Sequence, residues 1–197
     1  MENSLSKIVA ILLAVALLFG YPLYQQAQRH DELSQLVVHT AVTEFVDAVR
    51  TKGYITPAMY LDFNRKLGAT GNQYDIQMEH LHKRYNPSYS EPADPSSFQN
   101  DFDVYFNGHY TGEIMATLFP DNTEPLNSKQ RRYPKPDADL NGSGADPMTV
   151  GDFFTVKVKN VNRTMATVLF DFFTSGNTGS NTKIYIPYGG MIINEDY

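Results

Sequence analysis

The segment KIVAILLAVALLFGYPLYQQ, residues 7–26, decides the fold of this chain. Residues 8–24 carry no charge, and residues 8–19 are entirely apolar. A helix over residues 8–24 rises about 25 Å, at the short end of what crosses a hydrocarbon core of about 30 Å. We therefore predict a membrane anchor whose apolar side chains are Ile8, Val9, Ile11, Leu12, Leu13, Val15, Leu17, Leu18 and Phe19.

A cleaved signal peptide is the alternative interpretation of this segment. Cleavage after Ala16 would leave a short apolar run, and cleavage after Gly20 would put the bulky Leu18 where a small residue is required. The anchor is favoured for this reason. The slight positive charge at Lys7 predicts a single-pass protein of the cell membrane with its N-terminus inside. Residues 1–24 would form the cytoplasmic end and anchor, and residues 25–197 a domain outside the cytoplasm.

An amphipathic helix follows the anchor without a break. Apolar residues recur with helical spacing, and no proline or glycine interrupts residues 23–52. We predict that this stripe continues the anchor helix and packs on the exported domain or on a partner, and that Gly53 ends the helix. The residues of the stripe are Leu33, Val37, Ala41, Phe45 and Val49.

Alternating apolar and polar residues predict a small sheet. The pattern covers residues 74–81, 153–159 and 183–186, with a short extended segment at residues 102–106. Each of these strands has one apolar side, which must be covered, and the long helix offers the longest apolar stripe. The expected fold is α+β, with the helix packed on a mostly antiparallel sheet.

Shorter helices and loops complete the expected domain. Thr56 and Pro57 predict the start of a second helix, and Thr111 is expected to cap a third at residues 113–119. Prolines and small polar residues predict loops at residues 84–99 and 120–150. The pattern at residues 164–173 fits either a helix or a strand.

The composition excludes several classes of protein. Acidic residues number 22 against 16 basic ones, which gives a net charge of −6 and no cationic surface for a nucleic acid. The absence of cysteine excludes disulfides, thiolate metal sites and cysteine nucleophiles. No hydrolase, phosphate-binding or dinucleotide motif is present. The sequence therefore predicts a protein that is not an enzyme.

Two imidazoles at His80 and His82 lie on one face of a predicted strand, with His109 as the nearest further imidazole. This spacing can serve a metal site on a sheet. Two surface histidines at a strand end, next to Lys83 and Arg84, explain the pair more simply, so no metal is assigned to it.

The acidic segment after residue 136 matches the first half of a calcium-binding loop. Asp137, Asp139 and Asn141 supply oxygen donors at alternate positions, and Gly142 stands where the loop must turn. Met148 occupies the position of the expected bidentate glutamate, so half of the loop is missing. The segment predicts either a calcium site or a solvated loop, and no other cofactor is expected.

Four features of the chain resemble one family. These are the short N-terminus with its anchor and continuing helix, the segments FVDAVRTKGYIT at 45–56 and ATGNQYDI at 69–76, the Gly-Asp pair at 151–152 before a strand, and YGGMIINE at 188–195. The arrangement resembles the TadE-like membrane-anchored pilus-assembly proteins, relatives of the minor pseudopilins of tight-adherence and type II secretion-like systems. The chain lacks their Gly-x-x-x-x-Glu-Phe processing motif, which points to an accessory or tip subunit.

The resemblance implies a non-enzymatic component of an extracytoplasmic pilus or secretion apparatus. Its expected partners are the membrane and other subunits of that apparatus. The alternative is an anchored binding module that recognises a cell-wall glycan, a peptide or calcium through residues 120–150.

Overall fold

The computed structural model describes residues 2–120, 132–134, 148–174, 176 and 184–194. The protein is α+β, as predicted, and consists of long helix α1, a four-stranded antiparallel sheet and three shorter helices within these residues. The elements are α1 (Glu2–Lys52), α2 (Pro57–Gly68), β1 (Tyr74–Tyr89), β2 (Phe98–Tyr110), α3 (Thr111–Leu118), β3 (Phe153–Asn160), α4 (Met165–Thr174) and β4 (Tyr185–Met191).

Helix α1 is continuous over 51 residues, which confirms that the apolar run and the amphipathic stripe belong to one helix. Pro22 lies inside it without ending it. Gly53 follows the last residue with φ 71°, and its N–H donates to the Val49 carbonyl over 2.7 Å. A glycine in this left-handed conformation is the usual way to end a helix, so the predicted end is correct.

The sheet has the strand order β2-β1-β3-β4, and each neighbouring pair is antiparallel. The predicted strands at residues 74–81 and 153–159 pair with each other, and β4 begins two residues after the predicted start at residue 183. Helix α1 covers one face of the sheet. The Phe45 ring stacks on the Phe63 ring of α2 at a centroid distance of 4.5 Å and meets Phe154 of β3 edge-on at 6.2 Å.

The predicted stripe on α1 is only partly correct. Ala41, Phe45 and Val49 are buried in the core, but Leu33 and Val37 are 63% and 44% exposed. The prediction that these two residues pack on the sheet is therefore wrong. Positions four apart advance about 400° around a helix, so a strict four-residue spacing turns about 40° further at each step. The buried face instead combines steps of three and four residues, through Ala27, Asp31, Ser34, Val38, Ala41, Phe45 and Val49.

The loop predicted at residues 84–99 is mostly a hairpin. Strand β1 runs to Tyr89, and β2 returns from Phe98. Beyond Leu81, β1 pairs with β2 alone, because β3 begins at Phe153 opposite Leu81. Pro87 therefore lies in an edge strand, where its missing N–H is tolerated, and it pairs with Phe102.

Of the two predicted helix caps, only the one at Thr56 is confirmed. Thr56 caps α2, where its Oγ1 accepts a 3.2 Å hydrogen bond from the Met59 N–H. Thr111 does not cap α3 but is its first residue, and its hydroxyl accepts from the Met78 N–H of β1 over 2.7 Å.

Residues 165–174 form helix α4, which decides the ambiguous segment. Most of the predicted 120–150 loop lies outside the described residues.

We predict that Phe45→Ala lowers the free energy of unfolding by about 3–5 kcal/mol, because it removes a buried ring from between α2 and β3. The matched change Leu33→Ala on the exposed side of α1 should alter stability by no more than about 0.5 kcal/mol. Denaturant unfolding of the detergent-solubilised protein measures both. Equal losses in the two variants would contradict the helix face described above.

Candidate functional site

The N-terminal half of α1 is an exposed apolar surface. Among the described residues, the helix at Ser4–Lys52 is the one long and apolar enough to cross a membrane, and its most apolar stretch is only 6% buried. All nine predicted anchor residues are exposed. By length and composition alone, such a helix near an N-terminus is either an anchor or a signal sequence.

A second exposed apolar surface lies further along α1. Leu33, Leu36 and Val37 are exposed on the side of the helix that does not face α4 or the sheet core. A shallow groove beside them is lined by Leu36 and His39 of α1 and by Tyr185 and Pro187 of β4. We call Leu33, Leu36 and Val37 the outer stripe. Its size and position suit contact with another apolar helix.

A third exposed surface is the hairpin formed by the ends of β1 and β2. Hydrogen bonds from the Arg50 guanidinium to the Met191 carbonyl and from the Asn194 amide to the Lys52 carbonyl show that β4 ends beside the end of α1. The hairpin therefore extends past the end of α1 that is distant from the apolar run. It carries exposed aromatic side chains at Tyr85, Tyr89, Phe102, Tyr105 and Phe106.

The buried polar cluster of the protein combines residues from three segments. His80 of β1 lies directly opposite Phe154 of β3 and His109 of β2. Its ring is 5.6 Å from that of His109, and its side chain is fully buried, so the expectation of a surface histidine is wrong for His80. His82 lies two residues further along the same face, and Asp152 immediately precedes β3. The predicted His80–His82 pair thus faces an acid that the sequence alone did not connect to it.

Asp152 is the centre of this cluster. Its Oδ2 accepts hydrogen bonds from His80 Nε2 at 3.2 Å, His82 Nδ1 at 2.9 Å and the Thr149 N–H at 2.8 Å. Its Oδ1 accepts from the Lys83 N–H at 2.8 Å. Gly151, at φ 100°, occupies the third position of the turn from Thr149 to Asp152, where a type II turn requires a positive φ.

The network fixes the protons on the two imidazoles. An ionised carboxylate only accepts hydrogen bonds, so the protons must be on His80 Nε2 and His82 Nδ1. His80 Nδ1 then accepts from the Tyr133 hydroxyl, 3.0 Å away. Tyr133 is itself fully buried and pairs with Ile55 through two backbone hydrogen bonds of 2.7 and 2.8 Å. The cluster therefore connects β1, the turn before β3 and the segment around Tyr133.

The cluster shifts two pKa values, both downward. Burial lowers the pKa of His80 below its ordinary value of 6.5, although the hydrogen bond to Asp152 opposes this shift. Burial by itself would raise the pKa of Asp152. The hydrogen bonds from His80, His82 and the Lys83 and Thr149 N–H groups outweigh burial and hold the pKa of Asp152 well below its ordinary value.

The chemistry of the cluster is more structural than catalytic. His80, His82 and Asp152 offer three donor atoms within 4.8 Å of one another, a set that could hold a divalent metal ion. A metal ion there would replace the hydrogen bonds that Asp152 accepts from His80 and His82. Both His80 and Asp152 are fully buried, so neither offers a surface to a substrate. Hydrogen bonding alone accounts for the arrangement.

Sequence reasoning missed Asp152 and Tyr133 as members of this cluster. The signal that could have identified Asp152 is the Gly-Asp pair directly before a strand, since a glycine before a buried acid suits a tight turn. Tyr133 carries no comparable signal. The calcium candidate at Asp137, Asp139 and Asn141 lies outside the described residues.

Comparison with known proteins identifies no relative: no family model, no curated protein and no solved structure matches the chain.

We predict that acid destabilises the protein through His80 and Asp152. Because the pKa of His80 is lowered on folding, the unfolded chain binds its proton first, and stability falls as the pH drops below about 6.5. The lowered pKa of Asp152 adds a further loss below about pH 5.

Unfolding free energies measured between pH 7.5 and about pH 5 test this expectation. His80→Gln should flatten the dependence on pH, whereas the matched change at the exposed His39, His39→Gln, should leave it as steep as in the parent protein. An unchanged slope in His80→Gln would contradict the assignment.

Proposed function

We propose that the protein is a membrane-anchored, non-enzymatic subunit of an extracytoplasmic pilus or secretion apparatus, of the minor pseudopilin kind. The observation that carries this proposal is that the two halves of α1 differ in what covers them. One half of the helix is apolar and exposed, and the other half is covered by the sheet of the folded domain. Such a helix has an anchor at one end and presents a compact domain at the other.

The surfaces of the exported domain support a role in contacts between proteins. The outer stripe is apolar and begins 14 residues, about 21 Å, beyond the end of the apolar run at Phe19, where the helix of a neighbouring subunit would run alongside α1. An apolar helix of this kind resides in lipid until it packs against other helices. Among the described residues, the chemistry-bearing cluster at Asp152 is buried and satisfied by hydrogen bonds, which favours a structural role over catalysis.

An anchored binding module is the second candidate function. The exposed aromatic rings of the β1–β2 hairpin favour it, because such rings can stack on a sugar or a peptide. In this second candidate function, the ligand contacts the hairpin at the end of the domain distant from the anchor. The 120–150 segment and calcium remain part of this alternative as a prediction from the sequence.

The anchor is tested by the double change Leu12→Arg and Leu13→Arg. Two arginines near the middle of a spanning helix cost about 5–7 kcal/mol on the insertion scale, so the protein should leave the carbonate-resistant membrane fraction. Leu33→Arg, outside the apolar run, should leave fractionation unchanged. The intact mass of the membrane-bound protein should include residues 1–20, and a mass without them would show a cleaved signal peptide instead.

The outer stripe is tested by cysteine cross-linking, because the chain contains no cysteine of its own. Leu36→Cys in native membranes should form disulfide-linked dimers or adducts with a neighbouring subunit that carries a facing cysteine. Asp101→Cys on the exposed β2 edge of the hairpin is the control and should cross-link far less. Equal yields for the two variants would contradict a specific role for the outer stripe.

A further inference from the structure

Helix α4 runs antiparallel to α1 and ends beside the apolar run. At its start, the Thr164 hydroxyl donates to Asp31 Oδ2 over 2.6 Å. Further along, the rings of Phe170 and Tyr24 have centroids 6.2 Å apart. At its end, Phe173 lies so close to Gly20 that a Cβ added there would come within 2.5 Å of the ring. From the start of α4 to its end, the contacted residues of α1 therefore lie progressively closer to the apolar run.

The face of α4 turned away from α1 is apolar and exposed. Phe172 is 79% exposed, and within the helix only Ala166 and Thr167 are buried. The one ionisable residue of the helix is Asp171, which is paired with Arg163. A short helix with such a surface is costly to expose to water. Met165 and Val168 are exposed on the same face, and Phe170 and Phe173, which contact α1, are also 41% and 47% exposed.

The position of this face along α1 indicates what covers it. The apolar run ends at Phe19, and the uncharged segment ends at Tyr24. Gly20 therefore lies about 6 Å from Tyr24 on the anchor side. The interfacial layer between hydrocarbon and water is about 5–7 Å deep on each side of a bilayer. If α1 spans a membrane, Phe173 beside Gly20 lies at the depth where hydrocarbon meets the headgroups.

We propose that the C-terminal end of α4 is a second membrane contact, with Phe170, Phe172 and Phe173 inserted into the interfacial layer beside the anchor. The proposal rests on the anchor proposed above. Because α4 runs antiparallel to α1, only its last turn, which lies beside Gly20, reaches the depth of this layer. Because Thr164 and Gly20 hold α4 against α1 at both ends, the contact would fix the height and tilt of the exported domain over the bilayer.

The chain contains no tryptophan, so a single introduced tryptophan reports its own surroundings. We would reconstitute the full chain into phosphatidylcholine vesicles that contain lipids brominated either near the headgroup or near the end of the acyl chain, so that both depths of the bilayer are covered. The test variant is Phe172→Trp. Leu12→Trp reports the anchor, and Phe102→Trp, on the exposed hairpin distant from the anchor, is the matched aromatic control.

Brominated lipid should quench Phe172→Trp and Leu12→Trp at least twofold and leave Phe102→Trp unquenched. Quenching of Leu12→Trp without quenching of Phe172→Trp would overturn the proposal and leave the anchor intact. A blue-shifted but unquenched Phe172→Trp would show that a protein subunit covers α4, which also overturns it. If Leu12→Trp is not quenched either, the anchor itself is wrong.

Discussion

Helix α1 carries apolar side chains along most of its length, but the folded domain covers only part of them. From Val38 to Val49 its buried face is covered by the sheet and by α2. From Leu5 to Leu23 its apolar side chains are exposed all round. A helix that is apolar on every side is stable only where its surroundings are apolar as well. The positions of the other elements can be described by where they lie along α1, between its exposed apolar part and its covered part.

The sheet depends on α1 for one of its faces, and its strands are attached to the far end of that helix. Tyr188 of β4 donates to Asp47, and Arg50 donates to the Met191 carbonyl. At the start of β3, from which β1 and β2 continue as a hairpin, Asp152 connects β3 to His80 and His82. Its four hydrogen bonds offset the cost of removing a charge from water.

The exposed apolar surfaces follow α1 in order from its apolar run. The outer face of α4 comes first, then the outer stripe, and the aromatic hairpin lies beyond the end of the helix. A soluble monomer rarely exposes apolar patches in such number. Their arrangement along one axis is the basis of the membrane and partner contacts proposed above.

The sequence by itself determined the elements whose signals are local. The uncharged run, the helix end at Gly53, the cap at Thr56 and the alternation in β1 and β3 all depend on neighbouring residues, and each predicted its element correctly. The lengths of the strands were predicted less well. The prolines of residues 84–99 suggested a loop, because nothing local shows that Pro87 lies in an edge strand.

Only the tertiary structure decided which sides of these elements meet. Leu33 and Val37 are apolar, like residues of the core, yet the helix places them on its side that faces away from the sheet. His80 and Asp152 are 72 positions apart in the chain, and His80 and Tyr133 are 53 apart. No periodicity reaches across such separations, since contacts of this kind are created by the packing of whole elements. The sequence therefore predicted the helix and the strands, whereas the buried face of α1, the polar cluster around Asp152 and the position of α4 beside the apolar run followed from the folding of the chain.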